Sequence, residues 1–336
     1  MGNRPRMMSM INAAWTTQVL ATACELGVPD AMQEPTPLAA IAMRTGAHAP
    51  SLERLLLALV TLGVCEETSP RVFALLPDGE LLRDDHRESV AAWARMSGAQ
   101  VWNNWTLLAE SVRTGESARR KVQGTDDFGY LDANSQKARA FNTAMVNLTR
   151  PVAEAAAREI DWRGVHHAVD VGGGVGELLA GIVSAHPHMR GTVFDLQHAV
   201  EGARAHLLMR GVADRCDVVG GSFFEAIPPG ADAYLLKSVL HNWNDERSRS
   251  ILAQVRKAAK PGSQVMLFER VVPERRSATE LDREMARSDL NMLVGCGGCE
   301  RTEASFREML AGADLEPAYV KPLANGISVI AARAYR

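Results

Sequence analysis

The feature that most constrains this chain is a cluster of glycines between a short apolar run and a longer amphipathic one. Residues 168–171 (Ala-Val-Asp-Val) are mostly apolar, which indicates a short buried strand. Residues 172–174 are three consecutive glycines, and Gly176 follows after one valine. From Glu177 onwards, apolar residues recur at helical spacing. The pattern predicts a strand, a tight turn and a helix, with glycines that accept positive φ and let a ligand approach the backbone.

The spacing of these glycines indicates which ligand the turn holds. The dinucleotide fingerprint Gly-x-Gly-x-x-Gly, counted from Gly172, needs a third glycine where this chain has Glu177. A glutamate at the start of the helix would also repel a pyrophosphate. The next apolar run ends in Asp195, 19 residues after Gly176, where a carboxylate can accept both hydroxyls of a ribose. The turn therefore suits a nucleoside without phosphates, of which S-adenosylmethionine (SAM) is one; packing glycines alone are the alternative.

The second half of the chain alternates between short apolar runs and longer amphipathic ones. The predicted strands are 168–172, 191–196, 215–219, 233–239, 264–272, 315–321 and 326–333. The predicted helices are 177–186, 198–210, 245–259, 280–294 and 303–312. Such alternation predicts a parallel, doubly wound α/β sheet. Because Asn325-Gly326 is a hairpin signal, we expect the final strand to be antiparallel and to close the edge of the sheet.

The N-terminal part is predicted to be helical. Apolar residues from Met8 to Leu26 recur at steps of three and four, which predicts an amphipathic helix that needs a partner surface. Residues 36–76 predict two helices and a hairpin, a winged-helix pattern. The second of these helices has Arg54 as its sole cation, whereas a helix that reads DNA should be cationic and polar. We therefore favour a packing or dimerisation module over a DNA-binding one.

Composition excludes several classes of function. The 336 residues suffice for two domains, and 46% hydrophobic with 23% charged residues is typical of a soluble globular protein. A net charge of −3 favours neither nucleic acid nor an anionic membrane as a partner. Five cysteines without framework spacing suit a reducing cytoplasm. Cys296-Gly-Gly-Cys299 has no second pair to complete a metal site, so we predict no metal, and we expect His166-His167 to lie on the surface.

Five motifs, in order, identify a family. They are residues 169–176, 194–196 (Phe-Asp-Leu), 221–224 (Gly-Ser-Phe-Phe), 240–246 (Leu-His-Asn-Trp-Asn-Asp-Glu) and 300–303 (Glu-Arg-Thr-Glu). Together they resemble the SAM-dependent small-molecule O-methyltransferases, which include plant caffeate and flavonoid enzymes and bacterial polyketide and phenazine enzymes. The resemblance covers nearly the whole chain. It implies a winged-helix-like dimerisation domain (1–95), a helical lid region (96–160) and a Rossmann-like class I methyltransferase domain (161–336).

The resemblance also implies a role for each motif residue at the cofactor. The glycine loop would hold the methionine part of SAM, Asp195 would bind the ribose and Phe223 would lie on the adenine. At position 222 many members have an aspartate, and Ser222 here can accept a hydrogen bond without bringing charge. The full set of implied cofactor residues is Gly172, Gly174, Gly176, Asp195, Leu196, Ser222, Phe223 and Lys237.

The implied catalytic residues are His241, as general base, and the two acids Glu269 and Glu300. A phenol has a pKa of about 10 and is a poor nucleophile while it is protonated. Histidine, with an ordinary pKa of about 6.5, can accept that proton near neutral pH. A carboxylate on the other ring nitrogen would hold the tautomer and stabilise the imidazolium.

The resemblance implies an acceptor pocket and a homodimer, and leaves other functions open. The segments that would close over the substrate supply Trp105, Phe141, Met145, Met285, Asn291 and Met292. Flexible methionines suit either face of a flat ring, so we expect a planar hydroxylated aromatic, such as a phenazine or an aromatic polyketide. The alternatives are a SAM-binding enzyme that performs hydroxylation or decarboxylation, and a DNA-binding regulator with SAM as effector.

Overall fold

The computed structural model describes residues 2–124, 128, 131 and 135–335. The chain divides into two compact units, Met1–Asn103 with Thr143–Asn147, and Asn104–Asn142 with Leu148–Arg336. The domain boundaries that we predicted after residues 95 and 160 remain predictions. Among the described residues, every helix is too short or too polar to span a lipid bilayer.

The first unit contains the predicted pair of helices and hairpin. Its elements are α1 (Arg4–Glu25), β1 (Thr36–Pro37), α2 (Leu38–Thr45), α3 (Ala49–Thr61), β2 (Cys65–Ser69), β3 (Val72–Leu75), α4 (Pro77–Glu80), α5 (Ala91–Met96) and a π-helical turn (Ser97–Val101). Strands pair antiparallel in the order β1-β3-β2. On α1, Met10, Ile11 and Trp15 are exposed, with 66% of Trp15 accessible. This apolar face is consistent with the expected need for a partner surface.

Further helices follow along the chain before the strands of the sheet. They are α6 (Trp102–Trp105), α7 (Leu108–Thr114), α8 (Ala118–Gln123) and α9 (Ser135–Glu159). Gly115 and Gly124, both in the left-handed conformation, end α7 and α8. The helix α9 continues through Pro151.

The second unit is built on a seven-stranded sheet. Its elements are β4 (His167–Val171), α10 (Glu177–Ala185), β5 (Arg190–Asp195), α11 (Gln197–Val200), α12 (Ala203–Met209), β6 (Cys216–Gly220), β7 (Ala233–Lys237), a 3-10 turn (Leu240–Asn242), α13 (Asp245–Ala258), β8 (Gln264–Arg270), α14 (Glu280–Cys296), α15 (Glu303–Ala311), β9 (Leu315–Pro322) and β10 (Ile327–Ala334). The strand order is β6-β5-β4-β7-β8-β10-β9. The first five strands are parallel, and β10 is antiparallel to both of its neighbours.

The expected position of the final strand is wrong. β10 lies between β8 and β9, so β9 closes the sheet edge. The residues of β10 (Ile-Ser-Val-Ile-Ala-Ala-Arg-Ala) are mostly buried, whereas β9 carries two prolines and is largely accessible. Proline cannot donate to a ladder and therefore favours an edge strand. The hairpin itself is confirmed, with positive φ at both Asn325 and Gly326.

The chain order reverses on either side of β4, which pairs with β5 on one side and β7 on the other. In parallel sheets, ligands bind at such a switch point, outside the carboxyl ends of the strands. One buried apolar layer packs α10 onto the sheet through Leu179 and Ile182, and another packs α13 onto the opposite face through Ile251 and Leu252. These two layers hold the ends of β4, β5, β7 and β8 in place.

Candidate active site

The glycine loop after β4 is tightly packed except at one position. The φ angles of Gly172, Gly174 and Gly176 are 70°, 57° and 86°, a region that favours glycine. A Cβ at Gly172 would lie 2.8 Å from Val239 Cγ2, and one at Gly176 would lie 2.6 Å from Val193 Cγ2. A Cβ at Gly174 would meet nothing within 4 Å. Gly174 therefore presents backbone to open space, as a ligand cradle requires.

Asp195 is joined to this loop. Its Oδ2 accepts the N–H of Gly174 at 2.8 Å, and its Oδ1 accepts the N–H of Leu196 at 2.7 Å. The loop is also held by the N–H of Gly172, which donates to the Phe194 carbonyl at 2.8 Å. The ends of β4 and β5 thus form one rim that carries a carboxylate beside the glycines.

Glu177 is held in an ion cluster that the sequence did not reveal. Its buried carboxylate lies 2.6 Å from His206 Nε2, 3.1 Å from Arg150 Nε and 3.6 Å from Arg210 Nε. Burial alone would raise the pKa of Glu177, but His206 and the two arginines outweigh it and lower that pKa. Because Arg150 and Arg210 compensate its charge, the argument that Glu177 repels a phosphate loses its basis. The spacing of the glycines still disfavours the dinucleotide fingerprint.

Asp170 is a second group that sequence reasoning passed over. It is 1% exposed and lies beneath the loop, where a Cβ at Gly173 would be 2.6 Å from its Cγ. Burial raises its pKa to about 7. Its Oδ2 has no hydrogen-bond partner among the described residues. The signal in the sequence was an acid inside an otherwise apolar strand.

Aromatic residues line the neighbouring part of the rim. The Phe223 ring lies against the glycine loop, with Cε1 3.6 Å from the position of a Cβ at Gly172. Phe223 and Phe224 pack 4.9 Å apart, and Trp243 packs edge-on against both. The Ser222 hydroxyl accepts the N–H of Phe224 at 3.3 Å. At the end of β7, Lys237 is half-buried, and burial lowers its pKa to about 8.

Glu269 holds the turn that carries His241. Ser238 has a φ of 54°, which turns the chain sharply after β7 into the 3-10 turn. Glu269 Oε1 accepts the N–H of Val239 at 3.0 Å and that of Leu240 at 2.8 Å. These two bonds hold the strained turn and therefore determine where His241 lies.

His241 lies between two buried carboxylates. Its Nδ1 is 3.3 Å from Glu300 Oε1 and 3.7 Å from Glu269 Oε2. Both glutamate side chains have 0% accessible surface. Burial would lower the pKa of His241, but the charges of Glu269 and Glu300 outweigh it and raise that pKa above its ordinary value. Burial raises the pKa of Glu269, whereas hydrogen bonds from His241 and Ser288 overcome burial and lower the pKa of Glu300.

Two residues of α14 hold Glu300, and the sequence did not point to them. The Ser288 hydroxyl donates to Glu300 Oε1 at 2.7 Å, and the N–H of Glu300 donates to Asp289 Oδ1 at 3.0 Å. The loop before Glu300 is close-packed, because a Cβ at Gly298 would overlap the His241 carbonyl. Cys296 ends α14 and Cys299 lies in this loop; as expected, no disulfide joins them, and the Cys296 thiol donates to Asn242 Oδ1 at 3.3 Å.

Two of the predicted acceptor residues, Trp105 and Asn291, are in direct contact. Trp105 Nε1 donates to Asn291 Oδ1 at 2.9 Å. Asn291 and Met292 follow Ser288 by three and four residues on α14, so the three share one face of the helix. The contacts of the other predicted residues are different ones: the Phe141 ring lies 5.7 Å from Phe128, and Met285, also on α14, is buried beside Gly326. Met145 belongs to the first unit.

The fold and this rim define the class of protein. A mostly parallel sheet with a glycine cradle, a carboxylate beside the glycines and a histidine between two acids is typical of a methyltransferase that uses a nucleoside cofactor. Comparison with family models makes this specific. Residues 105–316 match the O-methyltransferase domain, and residues 8–83 match the O-methyltransferase dimerisation domain. The chain belongs to the O-methyltransferase family, and the predicted SAM-dependent enzyme class is confirmed.

Three relatives show how close the similarity is. The phenazine O-methyltransferase of Lysobacter antibioticus is 36% identical, over 97% of this chain and 95% of the relative. The mitomycin biosynthesis 6-O-methyltransferase of Streptomyces lavendulae is 39% identical, over 90% and 86%. The crystal structure of an O-methyltransferase from neocarzinostatin biosynthesis, in complex with SAM and 2-hydroxy-5-methyl naphthoic acid, has a TM-score of 0.80 at 34% identity, over 95% and 96%.

Proposed function

We propose that this enzyme transfers the methyl group of SAM to a hydroxyl of a planar aromatic metabolite of the phenazine or aromatic polyketide type. The observation that carries the proposal is His241, whose Nδ1 faces two buried carboxylates on the rim that also carries the glycine cradle. The relatives support the acceptor class, because their names specify a phenazine, a mitomycin and a naphthoic acid.

The residues of the rim fit SAM. Gly174 offers open backbone, and Asp195 next to it can accept hydrogen bonds from ribose hydroxyls. Phe223 offers a ring face for the adenine. We assign Gly172, Gly176, Leu196, Ser222 and Lys237 to the same site. When bound, SAM supplies a methyl group already activated by its sulfonium.

His241 would accept the proton of the acceptor hydroxyl at Nε2, since Nδ1 faces the carboxylates. Glu300 would hold the Nδ1 proton, which leaves Nε2 as the acceptor in the neutral ring. The negative charges of Glu269 and Glu300 would stabilise the imidazolium that forms. Glu269 acts in addition through the backbone, because it holds the turn that carries His241.

The Trp105–Asn291 pair supports an acceptor with a polar substituent. The indole N–H only donates, so the oxygen of the Asn291 amide must face Trp105. The amide nitrogen then faces away from Trp105 and can donate to a carbonyl or ring nitrogen of the acceptor. Met292 lies one residue along the same helix and offers a polarisable contact for a flat ring. We keep Phe141, Met145 and Met285 as further acceptor residues in this proposal.

We propose that the reaction needs no metal. The ligand atoms of His241, Glu269 and Glu300 lie within 4.8 Å of one another, which is the arrangement a metal would require. Glu269 Oε1 accepts two backbone N–H groups and Glu300 Oε1 accepts the Ser288 hydroxyl, whereas the Oε2 atom of each has no hydrogen-bond partner among the described residues. We propose that the imidazolium of His241, rather than a metal ion, compensates the charge of the two carboxylates. Turnover should therefore be unchanged after EDTA treatment and removal of the chelate. A loss of turnover that a divalent ion restores would contradict this.

We further propose a cytoplasmic homodimer. The exposed apolar face of α1 lies within the segment that matches a dimerisation domain. Light scattering of the full chain should give twice the mass of one chain, and deletion of residues 1–30 should give monomer or aggregate. A monodisperse monomer of the full chain would exclude the dimer.

The acceptor class is tested by incubation with SAM and a panel of planar hydroxyarenes, with products identified by mass spectrometry. The panel pairs each hydroxyphenazine, hydroxynaphthoate and hydroxyquinone with the same ring system lacking the hydroxyl. We expect a gain of one methyl in the hydroxylated member alone. Methylation of both members of a pair, or of none in the panel, would refute the proposal.

A further inference from the structure

Consecutive residues of α14 hold both the side chain and the backbone of Glu300. The Ser288 hydroxyl donates to Glu300 Oε1 at 2.7 Å, and Asp289 Oδ1 accepts the Glu300 N–H at 3.0 Å. Asp289 is in turn paired with Arg276 at 3.4 Å. Glu300 is therefore held from the helix, over an interval of 12 residues, as well as from His241.

Ser288 and His241 bind the same oxygen atom. Glu300 Oε1 is 2.7 Å from the Ser288 hydroxyl and 3.3 Å from His241 Nδ1. An ionised carboxylate only accepts, so the serine must be the donor in this bond. The shorter bond belongs to the neutral donor, and a hydrogen bond to a charged acceptor stabilises the charge on that acceptor. The hydroxyl therefore stabilises part of the negative charge of Glu300. That part of the charge would otherwise stabilise the protonated imidazole.

We propose that Ser288 is a positioning residue. Its hydroxyl holds the Glu300 carboxylate and weakens the effect of the Glu300 charge on His241. The inference rests on the proposed role of His241 as the general base. Ser288 would keep the imidazole basic enough to accept a proton, but not so basic that it is already protonated at working pH.

The charged groups that face the pair come from several elements. Glu269 in β8 and Lys237 at the end of β7 act on His241 together with Glu300. Arg270 at the end of β8 acts on Glu300. Ser288 itself is uncharged, so its replacement leaves all of these charges in place. A change in the titration of His241 in a Ser288 variant therefore reports the hydrogen bond.

The direct test is the titration of His241, followed by NMR of the histidine rings. The resonance of His241 among the nine histidines is assigned from its loss in His241→Gln. In Ser288→Ala, the imidazole is the one side-chain donor left to Glu300 Oε1 among the described residues, so the imidazolium becomes more stable. We expect the midpoint of His241 to rise by about half a pH unit, roughly threefold in proton affinity, because one unit is tenfold. Ser288→Thr, which keeps the hydroxyl, should restore the midpoint of the wild type.

Ser277→Ala is the matched control. The Ser277 hydroxyl donates to Asp282 Oδ2 at 2.5 Å, near the other end of α14. The control also removes a serine that donates to a carboxylate, and it should leave the His241 midpoint unchanged. An unchanged or lowered midpoint in Ser288→Ala, or no restoration by threonine, would overturn the proposal.

Kinetics separate this inference from the proposed function. In Ser288→Ala, the acid limb of the kcat/KM profile should move to higher pH by the same amount, while SAM affinity stays constant. If the wild type methylates no acceptor, the proposed function fails, and the NMR titration still decides the role of Ser288. If methylation is normal and the acid limb does not move, Ser288 has no influence on the base.

Discussion

Gly174→Ala offers the sharpest test of the cofactor site. Gly174 has a φ of 57°, and a Cβ there would meet no atom within 4 Å. The substitution should therefore cost only the left-handed backbone conformation, about 1–2 kcal/mol of the free energy of unfolding. The new methyl group would project into the space assigned to SAM. We expect SAM affinity to fall at least about tenfold, or 1.4 kcal/mol.

Two other glycines serve as matched controls. Gly211, after α12, also has a positive φ of 71° and open space around its Cβ position. Gly211→Ala should show the same loss of stability as Gly174→Ala without any loss of SAM affinity. In Gly176→Ala the Cβ would lie 2.6 Å from Val193 Cγ2, so overpacking adds to the backbone cost and the total should be about 2–5 kcal/mol.

Urea unfolding measures the stabilities, and isothermal titration calorimetry measures SAM affinity in each folded variant. The diagnostic result is a loss of affinity in Gly174→Ala that Gly211→Ala does not share at equal stability. If Gly174→Ala binds SAM as tightly as the wild type, the loop does not hold the cofactor. Gly172 and Gly176 would then be packing glycines alone.

Three further predictions concern His241 and Asp195. His241→Gln should reduce turnover of weakly acidic phenols by about 10²–10⁴-fold and leave SAM affinity unchanged. If the variant turns these phenols over as fast as the wild type, His241 is a structural residue and not the base. In the wild type, kcat/KM should fall as the pH drops through the pKa of His241, which lies above its ordinary value of 6.5. The reason is that the imidazolium cannot accept a proton from the acceptor. A pH profile without this acid limb would argue against His241 as the base. Asp195→Ala should weaken SAM binding by about 1.5–3 kcal/mol for one lost bond to a charged acceptor, and unchanged affinity in calorimetry would remove the ribose assignment.

The sequence by itself determined the local elements of the cofactor domain. The strand, the glycine turn and the start of the helix followed from the order of the residues at 168–177, because local backbone conformation depends on side chains that are close in the chain. The bounds of β4, β5, β6 and β8 each lie within two residues of the predicted ones. Two predicted elements were wrong in detail: helix 198–210 is split into α11 and α12, and β10 does not lie at the edge.

The tertiary structure alone decided how the charged groups are used. The order of strands depends on which neighbouring elements bury each strand. β10 is apolar on both faces, and only the packed sheet shows that it pairs with β8 in an inner position. Glu177 was interpreted from its position at a helix start, yet Arg150 and Arg210, each more than 25 residues away, compensate its charge. Ser288 carried no motif, and its contact with Glu300 exists because α14 lies beside the loop that follows it. Hydrogen bonds and ion pairs of this kind depend on distances of a few ångströms between distant parts of the chain, and only the packed fold specifies those distances.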